Sequence, residues 1–172
     1  MRLAYTMSPG RGDTDLLLAR FAAALSARGA RPCGVVQINS ERPGAQACDM
    51  DVRVLPDGPV LRISQSLGAG ARGCRLDPAA LERAVAEVER GLRAGPDLLV
   101  VNKFGKHEAE GRGFRTVIAE ALCLGVPVLC GVNALNLPAF LAFCDGAGRA
   151  LEPDLPQLID WADRVSAAPA RV

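Results

Sequence analysis

An apolar run from Leu3 to Met7 leads directly into a glycine- and proline-rich turn, Ser8 to Thr14, and then into a helix-period pattern. Leu16, Leu17, Phe21 and Leu25 recur at the spacing of one helix face over Asp15–Ala27. Gly29 ends that helix. A strand, a tight loop and a helix in this order constrain the fold strongly, because such a unit opens an α/β domain.

The rest of the chain continues the alternation. Gly34–Asn39, with Val35, Val36 and Ile38, predicts a short buried strand, and residues 40–50 a polar loop. Val52–Leu55 and Val60–Ser64 flank Pro56-Asp57-Gly58-Pro59, which predicts a hairpin because Pro-Asp-Gly presets a turn. Gly68–Gly73 is a glycine-rich loop. Asp77 and Pro78 open a helix as N-cap and N1 residue. That helix carries Leu81, Val85, Val88 and Leu92 on one face and solvated charges on the other. Leu98–Val101 and Val126–Gly131 are strands of the fully buried kind. Helices are expected at Gly113–Leu124, Asn136–Phe143 and Leu155–Val165, with Ala147–Leu151 as an edge strand. The pattern predicts one α/β domain over residues 1–166, with a mainly parallel sheet, an inserted hairpin and a tail at 167–172.

At 172 residues the chain can bury a full core. Its net charge of +1 gives no electrostatic footprint for nucleic acid. No apolar run reaches the ~18 residues of a membrane span, and residues 1–10 lack the pattern of a signal peptide. A cytoplasmic protein is expected, without membrane insertion and with homo-oligomerisation left open. Six cysteines are present without a C-x-x-C pair, so reduced thiols are expected rather than structural zinc. Cys123 and Cys130 read as core. Cys48 and Cys74 lie among polar residues and are the two weak candidates for a metal or redox role.

Ligands of open α/β sheets bind at the carboxyl ends of strands. Three loops should meet there: Ser8–Thr14, Asn102–Glu108 and Asn133–Asn136. The second holds both lysines of the chain, Lys103 and Lys106, and its one histidine, His107. The first follows the phosphate-loop pattern G-x-x-x-x-G-K-[ST] in part. Gly12 and Thr14 are in register, but Met7 replaces the first glycine and Asp13 the lysine. The binding candidates are Pro9, Gly10, Arg11, Gly12, Asp13, Thr14, Asn102, Lys103 and Lys106, with Lys103 and Glu108 as catalytic candidates. Arg112 and Arg115 could clamp an anion or lie on a helix surface, and Asn133 and Asn136 suit turn and helix caps.

Pro9-Gly10-Arg11-Gly12-Asp13-Thr14-Asp15-Leu16-Leu17 resembles the P-G-x-G-K-T-T-L-L loop of nucleoside-triphosphatases related to the cancer-related NTPase. Their second motif, an apolar strand followed by D-E-I-G-K-x-E, is similar to Val100-Val101-Asn102-Lys103-Phe104-Gly105-Lys106-His107-Glu108. Gly105, Lys106 and Glu108 match, while Asn102 stands for the magnesium aspartate and Lys103 for the catalytic glutamate. Over its whole length the chain more closely resembles a bacterial family of unknown function often labelled as molybdenum-transport proteins. The motifs that carry this are Ala4-Tyr5-Thr6, Pro9–Asp15, Cys48-Asp49-Met50-Asp51, Asn102–Lys106 and Gly131–Asn136. The resemblance implies a P-loop fold and a small anionic ligand: nucleotide, phosphate or molybdate.

The departures have a charge logic. An aspartate ~4 Å from a phosphate charge costs about 4 kcal/mol at an effective dielectric of 20, on the order of a thousandfold in affinity. Lys103 is expected to offset this by reaching Asp13 or the anion. Three readings follow: a nucleotide or oxyanion binder with weak or no hydrolysis, an active triphosphatase with a relocated lysine and Glu108 or His107 positioning water, or an interaction subunit with a vestigial site.

Overall fold

Seven strands form one sheet among the described residues of the structure, a computed structural model that describes residues 2–10, 12–40, 49–65 and 76–167. In chain order these are β1 (Leu3–Thr6), α1 (Asp13–Ala27), β2 (Pro32–Ser40), β3 (Asp49–Leu55), β4 (Val60–Arg62), α2 (Pro78–Leu92) and β5 (Leu98–Phe104). There follow α3 (Lys106–Ala109), α4 (Arg115–Cys123), β6 (Val128–Val132), α5 (Leu137–Phe143), β7 (Arg149–Leu151) and α6 (Leu155–Ala167). The sheet order is β4-β3-β2-β5-β6-β1-β7. From β2 to β7 every pairing is parallel. This is the P-loop NTPase-like α/β fold, with β3 and β4 as an antiparallel extension at one edge.

The apolar runs dictate this order. Leu98–Val101 sits between β2 and β6 and is buried on both faces. Val35, Leu99, Val101, Val128 and Cys130 point to one layer, filled by Leu81, Val85 and Val88 of α2 and Val117 and Ile118 of α4. Ala4, Val36, Leu98, Val100 and Leu129 point to the other, filled by Leu18, Phe21 and Leu25 of α1 and Leu158 and Trp161 of α6. The period of two along each strand makes this division. The expected cap of α2 is present, with Ala80 N–H donating to Asp77 Oδ1 at 3.1 Å.

Three differences from the sequence reading have physical causes. β2 runs on to Ser40 and pairs antiparallel with β3 over Gly34–Ser40 and Asp49–Leu55, so the insertion is a three-strand meander and not a lone hairpin. The outer half of that pair is polar and carries no buried-strand signal. α3 is a four-residue helix, too short to show a hydrophobic period. Cys123 is exposed rather than core, because the buried face of α4 is Val117, Ile118 and Ala121 and position 123 lies ~200° round from 121. The glycine-rich loop, most of the polar loop at 40–50 and residues 168–172 lie outside the described residues, as do Arg11, Cys48 and Cys74.

Candidate functional site

The first loop leaves β1 at its carboxyl end and coils into the N-terminus of α1. Gly12 takes a left-handed conformation, φ 85° and ψ −12°, which favours glycine over residues with a Cβ. Ser8 N–H donates to Thr14 Oγ1 at 3.0 Å, and Leu16 N–H to Gly12 C=O at 3.1 Å. These bonds close the loop on the helix. Asp13 folds its carboxylate back over Gly10: a Cβ added at Gly10 would stand 2.0 Å from Asp13 Oδ2. The residue that replaces the lysine therefore bends into its own loop.

The loop rests on β6 through Gly131. A Cβ at Gly131 would meet Asn102 C=O at 2.1 Å and Leu18 Cδ1 and Thr14 Cγ2 at 3.0 Å. Glycine is needed here for close approach, and it draws β5, β6 and α1 together. Thr6, opposite Gly131 in the β1–β6 register, has its Oγ1 fully buried without a hydrogen-bond partner among the described residues.

Across Gly131 lies Asn102, which is 4% exposed. Its Oδ1 accepts the backbone N–H of Gln37 at 2.8 Å, and its Nδ2 donates to Asp15 Oδ1 at 2.8 Å. The regular β2–β5 register ends at Val35 and Val101, and beyond it the Asn102 side chain accepts from the Gln37 N–H of β2. That bond requires an oxygen and fixes the amide with its N–H groups toward α1. An aspartate could accept from Gln37 but could not donate to Asp15.

The two loops meet through the neutral Asn102 amide on Asp15, and not through the Asp13–Lys103 pair that was expected. No ion pair links Lys103 to Asp13 among the described residues. Asn102 faces α1, and Lys103 is exposed where β5 departs from regular register between Val101 and Phe104, with its Cγ and Cε 3.9 Å from where a Cβ of Gly105 would be. Lys106 Nζ lies 3.6 Å from Glu110, the C-cap of α3. Pro9 and Gly10 are exposed on the loop.

Glu108 has a different task from the water-positioning role considered for it. It is 3% exposed, and its two oxygens accept Gly105 N–H at 2.9 Å and Phe114 N–H at 3.2 Å. It ties the start of α3 to the start of α4. Arg115 reinforces this joint: its guanidinium lies 4.5 Å from the Phe143 ring centre and donates to Glu108 C=O at 3.4 Å. Arg112 pairs with Glu110. Neither arginine is presented as an anion clamp. Asn133 Oδ1 accepts Asn136 N–H at 2.9 Å and closes the third loop, which leaves Leu135 at its tip 86% exposed.

Sequence reasoning also missed Asp51. It is 6% exposed and accepts Arg62 Nε at 3.1 Å, across the β3–β4 register. Its place in the Cys48–Asp51 motif was the available signal. Four described cysteines, Cys33, Cys123, Cys130 and Cys144, are free thiols. Burial pushes the Cys33 thiol up to about 11 and raises that of Cys130 further. Among the described residues no three metal-ligating side chains converge, and no helix is long and apolar enough to cross a membrane.

Comparison with known proteins places this geometry. Residues 3–161 match a family model described as a protein of unknown function, DUF2478. The chain belongs to that family. It is 38% identical over 150 residues to a protein of Bradyrhizobium diazoefficiens called molybdenum import ATP-binding protein ModC 2. The match takes in 87% of this chain but 17% of that relative, so the chain spans about a sixth of the relative's length. The solution structure of a human cancer-related nucleoside triphosphatase superposes with a TM-score of 0.67 at 19% identity, covering 98% of this chain and 100% of that one. The crystal structure of THEP1 from Aquifex aeolicus gives 0.62 at 14% identity, covering 96% of each. At these identities the two structures establish the shared fold.

Proposed function

We propose that this member of the DUF2478 family is a nucleotide- or oxyanion-binding P-loop protein with weak or no hydrolysis, linked to molybdenum metabolism. The observation that carries the reading is the closed loop Ser8–Thr14 at the N-terminus of a 15-residue helix, with Gly12 left-handed and Thr14 bonded back to Ser8. Backbone N–H groups in such a place suit an anion. The cradle residues are Pro9, Gly10, Gly12 and Thr14, with Arg11, Lys103 and Lys106 as the cations nearest in sequence and topology. Hydrolysis is weak in this reading because Asp13 replaces the phosphate-binding lysine, Asn102 replaces the magnesium acid, and Glu108 is held by two backbone N–H groups. The molybdenum link rests on the printed name of the Bradyrhizobium relative, in which the matching segment is one part of a much longer chain.

Equilibrium titration with ATP, GTP, phosphate and molybdate tests it. At least one should bind, and Asp13→Lys should raise nucleotide affinity by removing a like charge and restoring a cation. The gain should be larger when combined with Lys103→Glu. Wild-type turnover of several nucleotides per second, well inside the ordinary ~1–10³ s⁻¹ range of enzymes, would overturn the reading. So would nucleotide affinity indifferent to position 13.

A second reading, an interaction subunit with a vestigial site, is favoured by the Asp13 carboxylate folded over Gly10 and by Leu16 and Leu135, both exposed near the site. Under it none of the four ligands binds.

A further inference from the structure

We infer that the loop holds its anion without a divalent cation, so that its ligand is a free tetrahedral oxyanion rather than a magnesium–nucleotide complex. The inference rests on the anion-binding reading above and adds the ligand class.

P-loop folds place the metal between the loop threonine and an acid at the end of a neighbouring strand. The donor set present here does not fit that ion. The strand-end residue is Asn102, and its amide cannot turn an oxygen toward the loop. Gln37 N–H holds Oδ1 at 2.8 Å on the β2 side, which directs the Nδ2 hydrogens at Asp15. A cation between Thr14 and β5 would face N–H donors. Thr14 Oγ1 is itself engaged by Ser8 N–H.

The two acids of the loop do not make up the deficit. Asp13 and Asp15 are two residues apart on α1, ~200° round the helix, and cannot close on one ion. Asp13 lies against Gly10, while Asp15 accepts from Asn102. Among the described residues no third acid, histidine or cysteine joins them.

A carboxylate has in effect moved from the strand end to the helix, and an amide has taken the strand position to receive it. A nucleoside triphosphate relies on a metal to neutralise its β and γ oxygens. A small oxyanion can be met by backbone N–H groups and the helix dipole alone.

Two measurements on the whole chain test this. In the first, phosphate, molybdate and ATP are titrated calorimetrically with EDTA and with excess magnesium. Phosphate or molybdate should bind with affinities that differ by less than about twofold between the two buffers, and ATP should gain nothing from magnesium. A tightening of about tenfold or more by magnesium overturns the inference. In the second, manganese binding is followed by paramagnetic resonance. The wild type should show no site that Asp15→Asn removes, and a wild-type site lost in Asp15→Asn overturns the inference without reference to any anion. The double variant Asn102→Asp, Asp15→Thr should gain a manganese site if its melting temperature stays near that of the wild type. Failure of all three anions in both buffers overturns the anion-binding reading and the ligand class with it, and manganese then judges the exclusion of the cation by itself.

Discussion

Replacing Asn102 by aspartate restores the acid that the fold ordinarily carries, and it should harm this protein. The amide nitrogen stands 2.8 Å from Asp15 Oδ1 inside a site where Asn102 is 4% exposed. Asn102→Asp puts a second carboxylate at that contact. Two unit charges ~4 Å apart cost about 4 kcal/mol at an effective dielectric of 20. Loss of a hydrogen bond to a charged acceptor adds about 1.5–3 kcal/mol. Side-chain movement, or one proton shared by the pair, relieves part of this, so the expected loss is about 2–4 kcal/mol out of a typical ~5–15. Two carboxylates in one site favour the protonated form of the folded state, so the loss is full at neutral pH and shrinks as pH falls through the carboxylate range. Urea unfolding followed by circular dichroism reads the change. The partner variant Asp15→Asn with Asn102→Asp rebuilds the same donor–acceptor pair with its roles exchanged, and should recover about 2 kcal/mol or more. A single variant within about 0.5 kcal/mol of wild type, or a double variant no more stable than the single one, would refute the argument.

Other residues give sharper local tests. Glu108→Ala strands the N–H groups of Gly105 and Phe114 in a buried joint and should cost about 2–5 kcal/mol in urea unfolding, with Glu108→Gln costing less; an unchanged stability would show that the carboxylate does not brace α3 against α4. Gly131→Ala drives a methyl to 2.1 Å from Asn102 C=O and should cost about 3 kcal/mol or more, with loss of soluble expression as an equally clear reading; a variant of wild-type melting temperature contradicts the close packing of β5, β6 and α1. Iodoacetamide on the native protein, followed by mass spectrometry, should label exposed Cys123 well before Cys33 and Cys130. Because burial raises the Cys33 thiol from 9.0 to about 11, its contribution to stability is present below pH ~9 and lost as pH climbs through about 11, and a Cys33→Ala chain should show a shallower alkaline decline.

The parts of the fold that could be read from sequence are those with a local signal. Gly12 before a helix period, Asp77-Pro78 before α2, Pro56-Asp57-Gly58 between β3 and β4 and the apolar Leu98–Val101 each announce themselves within a few residues. The polar half of the β2–β3 pair and the four-residue α3 do not, because neither has a hydrophobic period. The site was legible as a set of loops and not as a set of contacts. Charge counting alone paired Asp13 with Lys103. Counting alternation along β5 would not have settled it, because the register is irregular between Val101 and Phe104. The partner of Asn102 lies 87 residues away, and its signal was the aspartate at position 15 where the resembling loops carry a hydroxyl. Glu108 looked catalytic by position, and its burial under two backbone N–H groups depends on the fold of α3 and α4.

Three buried or half-buried acids of the fold are each answered by a fixed donor. Asp15 receives an amide, Glu108 receives two backbone N–H groups, and Asp51 receives a guanidinium. In a P-loop that works with magnesium, the strand acid is answered by the metal, which comes and goes with the nucleotide. Here the answer is built into the chain, and the change of position 102 makes sense only together with that of position 15. Asn102→Asp alone sets two carboxylates against each other. Asp15→Thr alone withdraws the carboxylate that accepts from the buried Asn102 amide. Only the paired change returns an uncompensated acid to the strand end, which is why the double variant, and neither single one, is the test of the proposed metal-free site.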